Sequence, residues 1–138
     1  KLSVDEIEAI IYRQSGLLGL SEESSDMRVL EQSDALFAKQ AINYYCYQIR
    51  REVGAMAASL KGIDALVFSA GIGENSAHVR AKVCEPLEFL GISIDPAKNK
   101  ANAPEIGTGP VPVFIIPTNE EQVIARAIAQ ARTKARQS

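Results

Sequence analysis

The stretch Asp64-Ala-Leu-Val-Phe-Ser-Ala-Gly-Ile-Gly-Glu-Asn75 is the part of the sequence that decides the fold. Residues 65–69 are a short apolar run, typical of a strand covered on both faces of an α/β sheet. Gly71 and Gly73 then predict a turn, and Asn75-Ser76 predicts the cap of the next helix. Such a unit exposes backbone N–H groups to which an anion or a nucleotide can bind. A side chain at either glycine is expected to block that approach or to forbid the backbone angles.

Composition places the chain among ordinary globular proteins and excludes several functions. Its 138 residues predict one domain with one core. A net charge of −2 gives no basic surface for nucleic acid, and no stretch approaches the roughly 20 apolar residues of a membrane span. No signal peptide is visible, and Cys46, Cys84 and the lone His78 form no metal pattern, which predicts a cytoplasmic protein with reduced thiols. Because the chain opens on Lys1 rather than Met, we expect a piece of a longer protein.

Local signals predict an α/β order with helix-rich additions at the start of the chain. Ser3 and Glu6 form a capping box for a first helix that ends before Ser15, and a loop follows over 17–23. The next elements are a short helix from Ser25-Asp26, a long helix from Ser33-Asp34 to about Lys61 closed by Gly62, and the strand over 65–69. The last are a helix broken or kinked at Pro86, a brief strand over 92–94, a turn at Asp95-Pro96, a loop over 99–112, a strand over 113–116 and a helix from Pro117.

The long helix carries an apolar residue at every third or fourth position, which predicts that one of its faces is buried throughout. The row consists of Ala38, Ile42, Tyr45, Ile49, Val53, Met56 and Leu60. Three tyrosines crowd one turn of this helix and cannot all face the same way: Tyr44, Tyr45 and Tyr47. One of them is expected in the core, and the others are open between the core and a subunit interface.

Three motifs carry candidate chemistry, and each also has a purely structural explanation. Gly71-x-Gly73 resembles the start of a dinucleotide fingerprint, but Ser76 stands at the third glycine position and no acidic residue follows at ribose-reading spacing. A structural glycine turn and a nucleotide contact therefore both remain open. In Pro117-Thr-Asn-Glu-Glu121, the carboxylates either favour a helix start or position Mg²⁺ or its water near phosphates.

The third motif is Ser24-Ser-Asp-Met-Arg28. Asp26 and Arg28 either cap and pair locally, or Asp26 accepts hydrogen bonds from a ribose or base while Arg28 packs its plane against a purine. His78 is expected to be an exposed helix residue. No Ser/His/Asp or Cys/His set can be assembled, so the sequence offers no nucleophile with its base.

The wording and order of these motifs together resemble the acetate kinase family, which includes propionate and butyrate kinases. The resemblance rests on Ser15-Gly-Leu-Leu-Gly-Leu20, Ser24-Ser-Asp-Met-Arg28, Val67-Phe-Ser-Ala-Gly-Ile-Gly-Glu-Asn-Ser76, Phe89-Leu-Gly-Ile92, Asp95-Pro96, Asn99 and Ile116-Pro-Thr-Asn-Glu-Glu121. It runs from Ser3 to about Ala129 and implies the C-terminal third of a carboxylate:ATP phosphotransferase. The implied fold is a partial actin-like, RNase H-like α/β domain of the acetate and sugar kinase, Hsp70 and actin superfamily, with residues 1–138 as a single segment.

The resemblance also implies the ligands and the residues that touch them. The adenosine-side segment would be Asp26, Met27 and Arg28, and the second nucleotide loop would be Gly71, Ile72, Gly73, Glu74 and Asn75. Glu120 would be the carboxylate linked to Mg²⁺, and ATP or ADP would be the nucleotide. The complete enzyme would transfer the γ-phosphoryl group of ATP reversibly to a short-chain carboxylate, giving an acyl phosphate.

Several residues that the family uses for catalysis have no counterpart in this sequence. They are the substrate arginine, the catalytic aspartate, the phosphate segment, and the His and Arg that stabilise the phosphoryl group. No catalytic residue is therefore expected in this segment, and the chain alone is expected to be inactive. Dimers of the family form through the C-terminal domain, which implies a homodimer. Two alternatives stay open: an inactive fragment that binds nucleotide, and an interaction module that keeps only the fold.

Overall fold

The computed structural model describes residues 1–119 and residue 128. Its helices are α1 (Val4–Arg13), α2 (Gly16–Ser21), α3 (Met27–Gln32), α4 (Leu36–Leu60), α5 (Ala70–Asn75), α6 (Ala77–Cys84) and α7 (Pro96–Lys100), with a 3-10 helix at Glu85–Leu90 between α6 and α7. Its strands are β1 (Leu66–Phe68) and β2 (Val113–Ile115). The two strands pair in parallel, with Leu66 opposite Val113 and Phe68 opposite Ile115. In the described part of the chain, none of the helices combines the length and the apolar composition that a membrane span requires.

Several predicted helix boundaries are confirmed by their capping contacts. The Glu6 amide donates to Ser3 Oγ at 3.3 Å, and the Ser3 amide donates to Glu6 Oε2 at 2.7 Å, so both halves of the capping box are present. Asp26 caps α3 by accepting a hydrogen bond from the Arg28 amide at 2.9 Å. Pro86 ends the regular α-helix, and the chain continues as the 3-10 helix, because proline lacks the N–H that an α-helix interior requires.

The long helix α4 is buried mainly over its first half, and Ala57 is the one buried residue of its second half. Its buried residues include Ala38, Ile42 and Cys46, whereas Met56 is 54% and Leu60 is 71% exposed. The prediction that one face of α4 is buried throughout is therefore wrong beyond Val53. There the predicted face borders an apolar groove of about 510 Å³ instead of the core.

The structure also defines where α4 begins and ends and which of its tyrosines contacts the core. It begins after Ala35, whose amide donates to Ser33 Oγ at 3.2 Å. It ends with Lys61 in the left-handed conformation (φ 63°), immediately before Gly62. Tyr45 is the tyrosine that packs against the core, while Tyr44 and Tyr47 are exposed, with ring centroids 6.5 Å apart.

Four other local predictions differ from the structure. The segment predicted as a loop over 17–23 forms α2, which packs on α4 and places Leu17 against the core. β1 is not covered on both faces, since Val67 is 48% exposed. The strand predicted over 92–94 is a single bridge between Ile94 and Gly107. Asp95 caps α7 instead of forming a simple turn, and its Oδ1 accepts hydrogen bonds from the Ala97 and Lys98 amides.

The core lies between α3, α4 and α6 on one side and the two strands on the other. Its fully buried members include Leu30, Val79, Val83, Ile106 and Val113. One charged residue lies among them: Arg80 of α6 has no solvent exposure. Burial lowers the pKa of this guanidinium, because a low-dielectric environment disfavours the charged form.

Arg80 is satisfied by hydrogen bonds to neutral acceptors rather than by a carboxylate. Its Nη1 donates to the carbonyl oxygens of Gly73 (2.8 Å) and Glu74 (2.9 Å), at the end of α5. Its Nε donates to Asn99 Oδ1 at 2.7 Å, and its Nη2 donates to the Asn99 carbonyl oxygen at 2.7 Å and to Asn102 Oδ1. All of the N–H donors of an arginine are thereby used. The side chain joins α5 to α7 and the loop that follows α7.

A second connection joins α5 to the segment after β2. Glu74 Oε1 accepts hydrogen bonds from the Thr118 amide at 2.8 Å and from the Thr118 hydroxyl at 3.0 Å. These two bonds lower the pKa of the Glu74 carboxyl, and the bond from the Thr118 amide has the larger effect. The end of α5 is therefore held from two directions, by Arg80 and by Thr118.

We predict that Arg80→Met destabilises the chain by at least about 3 kcal/mol, because it leaves the carbonyl oxygens of Gly73, Glu74 and Asn99 without this donor. Urea unfolding followed by circular dichroism measures the change. Arg51→Met is the matched control: Arg51 lies on the surface of α4 and forms an exposed ion pair with Glu52, so little change is expected. Equal unfolding midpoints for the two variants would contradict this role of Arg80.

The Glu74 contact predicts a pH response with a definite sign. Because the folded-state pKa is lowered, the bond contributes stability above the ordinary carboxyl pKa of 4.5 and loses it as pH falls through the lower, folded-state value. The Thr118 amide resonance in nuclear magnetic resonance spectra should therefore shift only below pH 4.5. Glu74→Gln keeps an acceptor oxygen without a titrating group and should abolish the shift. A midpoint at or above 4.5 would contradict the contact.

Candidate functional site

The start of α3 and the helix α5 face each other across a cleft of about 540 Å³. The residues that line it are Ser25, Asp26, Met27, Arg28, Glu31, Gly71, Ile72, Asn75 and Ser76. The structure thus brings together the two segments that the sequence singled out, although more than forty residues separate them. Of the described candidate residues, only Gly73 and Glu74 do not line this cleft. Whether the cleft binds a nucleotide is not tested by this geometry and stays a prediction.

The first wall is built by the N-terminal turn of α3. The Asp26 carboxylate accepts from the Arg28 amide (2.9 Å) and Nε (3.1 Å) through Oδ1, and from Arg28 Nη2 (2.6 Å) through Oδ2. These bonds lower the pKa of Asp26 and raise that of Arg28. Met27 is buried beneath the pair, which anchors the turn in the core.

The local pairing of Asp26 with Arg28 does not exclude a ligand role for either residue. An ionised carboxylate has about four lone-pair sites, so Asp26 can accept further hydrogen bonds. The Arg28 side chain is 82% exposed, while the pairing fixes the orientation of its guanidinium. A planar ring could therefore stack on the guanidinium with little loss of side-chain freedom.

The second wall differs from the predicted glycine turn. Gly71 and Gly73 lie inside α5, and neither has a positive φ; the left-handed residue is Ala70, with φ 58°. The expectation that these glycines are required by their backbone angles is therefore wrong. The expectation that a ligand can approach the backbone closely fits Gly71. A Cβ placed there would meet no atom within 4 Å, so the space beside it is open. A Cβ at Gly73 would instead contact the backbone of Phe68 at 3.4 Å.

The junction between α5 and α6 completes this wall. Asn75 Nδ2 donates to the Gly71 carbonyl oxygen at 2.8 Å, which holds the residue against its own helix. Ser76 Oγ accepts from the Val79 amide at 2.9 Å and caps α6, as the sequence predicted. Two residues of the predicted nucleotide loop, Gly73 and Glu74, do not line the cleft. Their carbonyl oxygens accept hydrogen bonds from Arg80, and the Glu74 carboxylate accepts hydrogen bonds from Thr118.

Glu120, the carboxylate predicted to be linked to Mg²⁺, lies outside the described residues. Within residues 1–119 and 128, no group of three or more His, Cys, Asp and Glu side chains could hold a metal ion. His78 is exposed on α6, as expected. Sequence reasoning missed Glu31 as a cleft residue and Arg80 as the support of α5. For Glu31, the spacing of four residues from Met27 and three from Arg28 could have indicated that it shares their side of α3.

Comparison with known proteins gives a family for this arrangement. The Acetokinase family matches residues 1–126. The acetate kinase of Methylocella silvestris is 54% identical over 128 residues, which are 91% of this chain and 32% of the relative. The chain therefore spans about a third of the length of the relatives it matches.

Solved structures of the same class superpose on the described fold. A Porphyromonas gingivalis acetate kinase matches 91% of this chain and 34% of its own, with a TM-score of 0.83 and 39% identity. A Francisella tularensis propionate kinase matches 87% of this chain and 32% of its own, with a TM-score of 0.79 and 35% identity. The predicted partial α/β domain of actin-like fold is confirmed. The chain belongs to the acetokinase family.

Proposed function

We propose that the chain, as a single segment over 1–138, is the C-terminal part of a short-chain carboxylate kinase. The complete enzyme transfers the γ-phosphoryl group of ATP reversibly to acetate or propionate, giving an acyl phosphate and ADP. Membership of the acetokinase family supports the reaction class, and relatives named as acetate and propionate kinases support the acceptor. The activity belongs to the longer protein, since this chain spans about a third of such a relative.

In this proposal the cleft between α3 and α5 holds the adenosine end of ATP or ADP. The observation that carries it is the meeting of residues 26–28 with Gly71, Ile72 and Asn75 around one cavity. Arg28 offers a plane on which a purine stacks, and Asp26 accepts hydrogen bonds from ribose hydroxyls. Gly71 leaves room for the nucleotide to approach the backbone, and Ile72 supplies an apolar contact.

The phosphoryl transfer itself is completed by residues outside this chain. Such a transfer depends on positioning and on neutralising the charge of the phosphates. Arg28 is the cationic side chain that borders the cleft in the described part of the chain, and it is paired with Asp26. We therefore propose that the chain alone is inactive, that Glu120 contributes to a Mg²⁺ site, and that the enzyme works in the cytoplasm.

An assembly role is favoured by a separate observation. Helix α1 has no buried residue although its apolar side chains Val4, Ile7, Ile10 and Ile11 recur at helical spacing. Tyr44 and Tyr47 of α4 are exposed as well. We propose that the parent enzyme is a homodimer and that these surfaces are covered in the complete assembly. An interaction module without ligand binding is the alternative, and it predicts no response to nucleotide.

Calorimetric titration of the chain with ADP tests the proposed cleft. We expect saturable binding that Gly71→Val abolishes, because the new side chain projects into the space reserved for the nucleotide. Gly54→Val is the matched control, since a Cβ at Gly54 also meets open space but lies on α4, away from the cleft. Absence of binding by the folded wild-type chain, or equal binding by both variants, would contradict the proposal.

A further inference from the structure

We infer that Glu31 is a positioning residue of the nucleotide cleft, which it holds at a fixed width through a hydrogen bond with Ser76. The inference rests on the proposed nucleotide function. Glu31 lies in the last turn of α3, on the first wall, and Ser76 lies at the junction of α5 and α6, on the second wall. The Ser76 hydroxyl donates to Glu31 Oε1 across a sequence separation of 45 residues.

The direction of this hydrogen bond is imposed by the cap of α6. A serine hydroxyl has one proton and two lone pairs. The Val79 amide donates to Ser76 Oγ at 2.9 Å and so occupies a lone pair, which leaves the proton for another acceptor. Ser76 is buried, and Glu31 supplies that acceptor as a carboxylate, which makes the bond charge-assisted.

This bond is the direct polar connection between the two walls. The other side-chain bonds of the cleft stay within one wall: Asp26 with Arg28, and Asn75 with Gly71. Helix α3 packs mainly on α4, while α5 packs on α6, so the walls otherwise meet through their separate supports. Across residues 1–119, no further side-chain hydrogen bond joins α3 to the α5–α6 wall.

A positioning role and a purely electrostatic role predict opposite effects. Removing a carboxylate from a cleft that binds an anion should strengthen ADP binding if charge alone mattered. Removing the bridge should weaken binding, because α3 loses its fixed distance from α5 and the ligand must then order both walls. Because Glu31 is solvent-exposed and the α6 cap does not depend on it, its loss should leave the fold intact.

The test measures the affinities of ADP and adenosine for the full chain by calorimetry. Glu31→Ala is expected to raise both dissociation constants by about tenfold, and by similar factors, because the bridge acts on the adenosine end. Glu31→Gln retains an acceptor oxygen and should restore most of the affinity. Glu23→Ala is the matched control, since Glu23 accepts a hydrogen bond from Ser33 Oγ in the same way but lies outside the cleft.

A second variant separates the bridge from the cap. Ser76→Asp keeps an N-cap oxygen of equal quality but opposes the Glu31 carboxylate with a second negative charge, so it should weaken ADP binding without loss of folding. In the double variant with Glu31→Ala the repulsion disappears, and binding should be no weaker than in Ser76→Asp alone.

Each outcome decides between the two claims. Wild-type or tighter ADP binding in folded Glu31→Ala, or additive losses in the double variant, would overturn the role of Glu31 while the nucleotide cleft stands. A folded wild-type chain that binds neither ADP nor adenosine would overturn the proposed function and this inference together. A loss in Glu31→Ala that Glu31→Gln repairs, with no loss in Glu23→Ala, supports both.

Discussion

The buried guanidinium of Arg80 is the interaction on which the arrangement of this chain depends. A charge without solvent exposure is tolerated only when its hydrogen bonds are satisfied, and the acceptors come from the end of α5, from Asn99 of α7 and from the loop after it. Because these acceptors lie in separate segments, the side chain can be satisfied only when those segments are in place. The position of α5, and with it one wall of the cleft, follows from that requirement.

The cleft is built largely from residues that begin helices. Asp26 caps α3 and orients Arg28, while Ser76 caps α6 and donates to Glu31. A cap is a short-range contact with a defined geometry, so it fixes the adjoining side chains as well as the helix end. The same residues therefore stabilise local structure and shape the cavity, and the chain needs few long-range polar contacts to form it.

The sequence predicted what depends on neighbouring residues and missed what depends on distant ones. The Ser3 capping box, the start of α3 at Asp26 and the break at Pro86 are local effects, and all are present. The prediction of a buried face on α4 is wrong beyond Val53, and Val67 of β1 is exposed. The apolar pattern of a sequence cannot show which faces a short two-stranded sheet will cover. A buried arginine cannot be distinguished from an exposed one in the sequence, so the role of Arg80 became visible only in the structure.

For the cleft, motif resemblance identified the two segments but not the manner in which they meet. It grouped Gly73 and Glu74 with the ligand contacts, whereas the structure assigns their hydrogen bonds to the framework. The local glycine pattern, considered before the resemblance, predicted special backbone angles at Gly71 and Gly73, whereas Ala70 adopts the left-handed conformation.

Mapping of ADP onto the chain by amide chemical-shift changes tests the central claim, that the cleft between α3 and α5 is a preformed nucleotide half-site. The account predicts changes concentrated at residues 25–31 and 71–76, with amides in the last turns of α4 unchanged. Changes centred on the apolar groove beside Met56 and Leu60, or no changes in a folded chain, would contradict it.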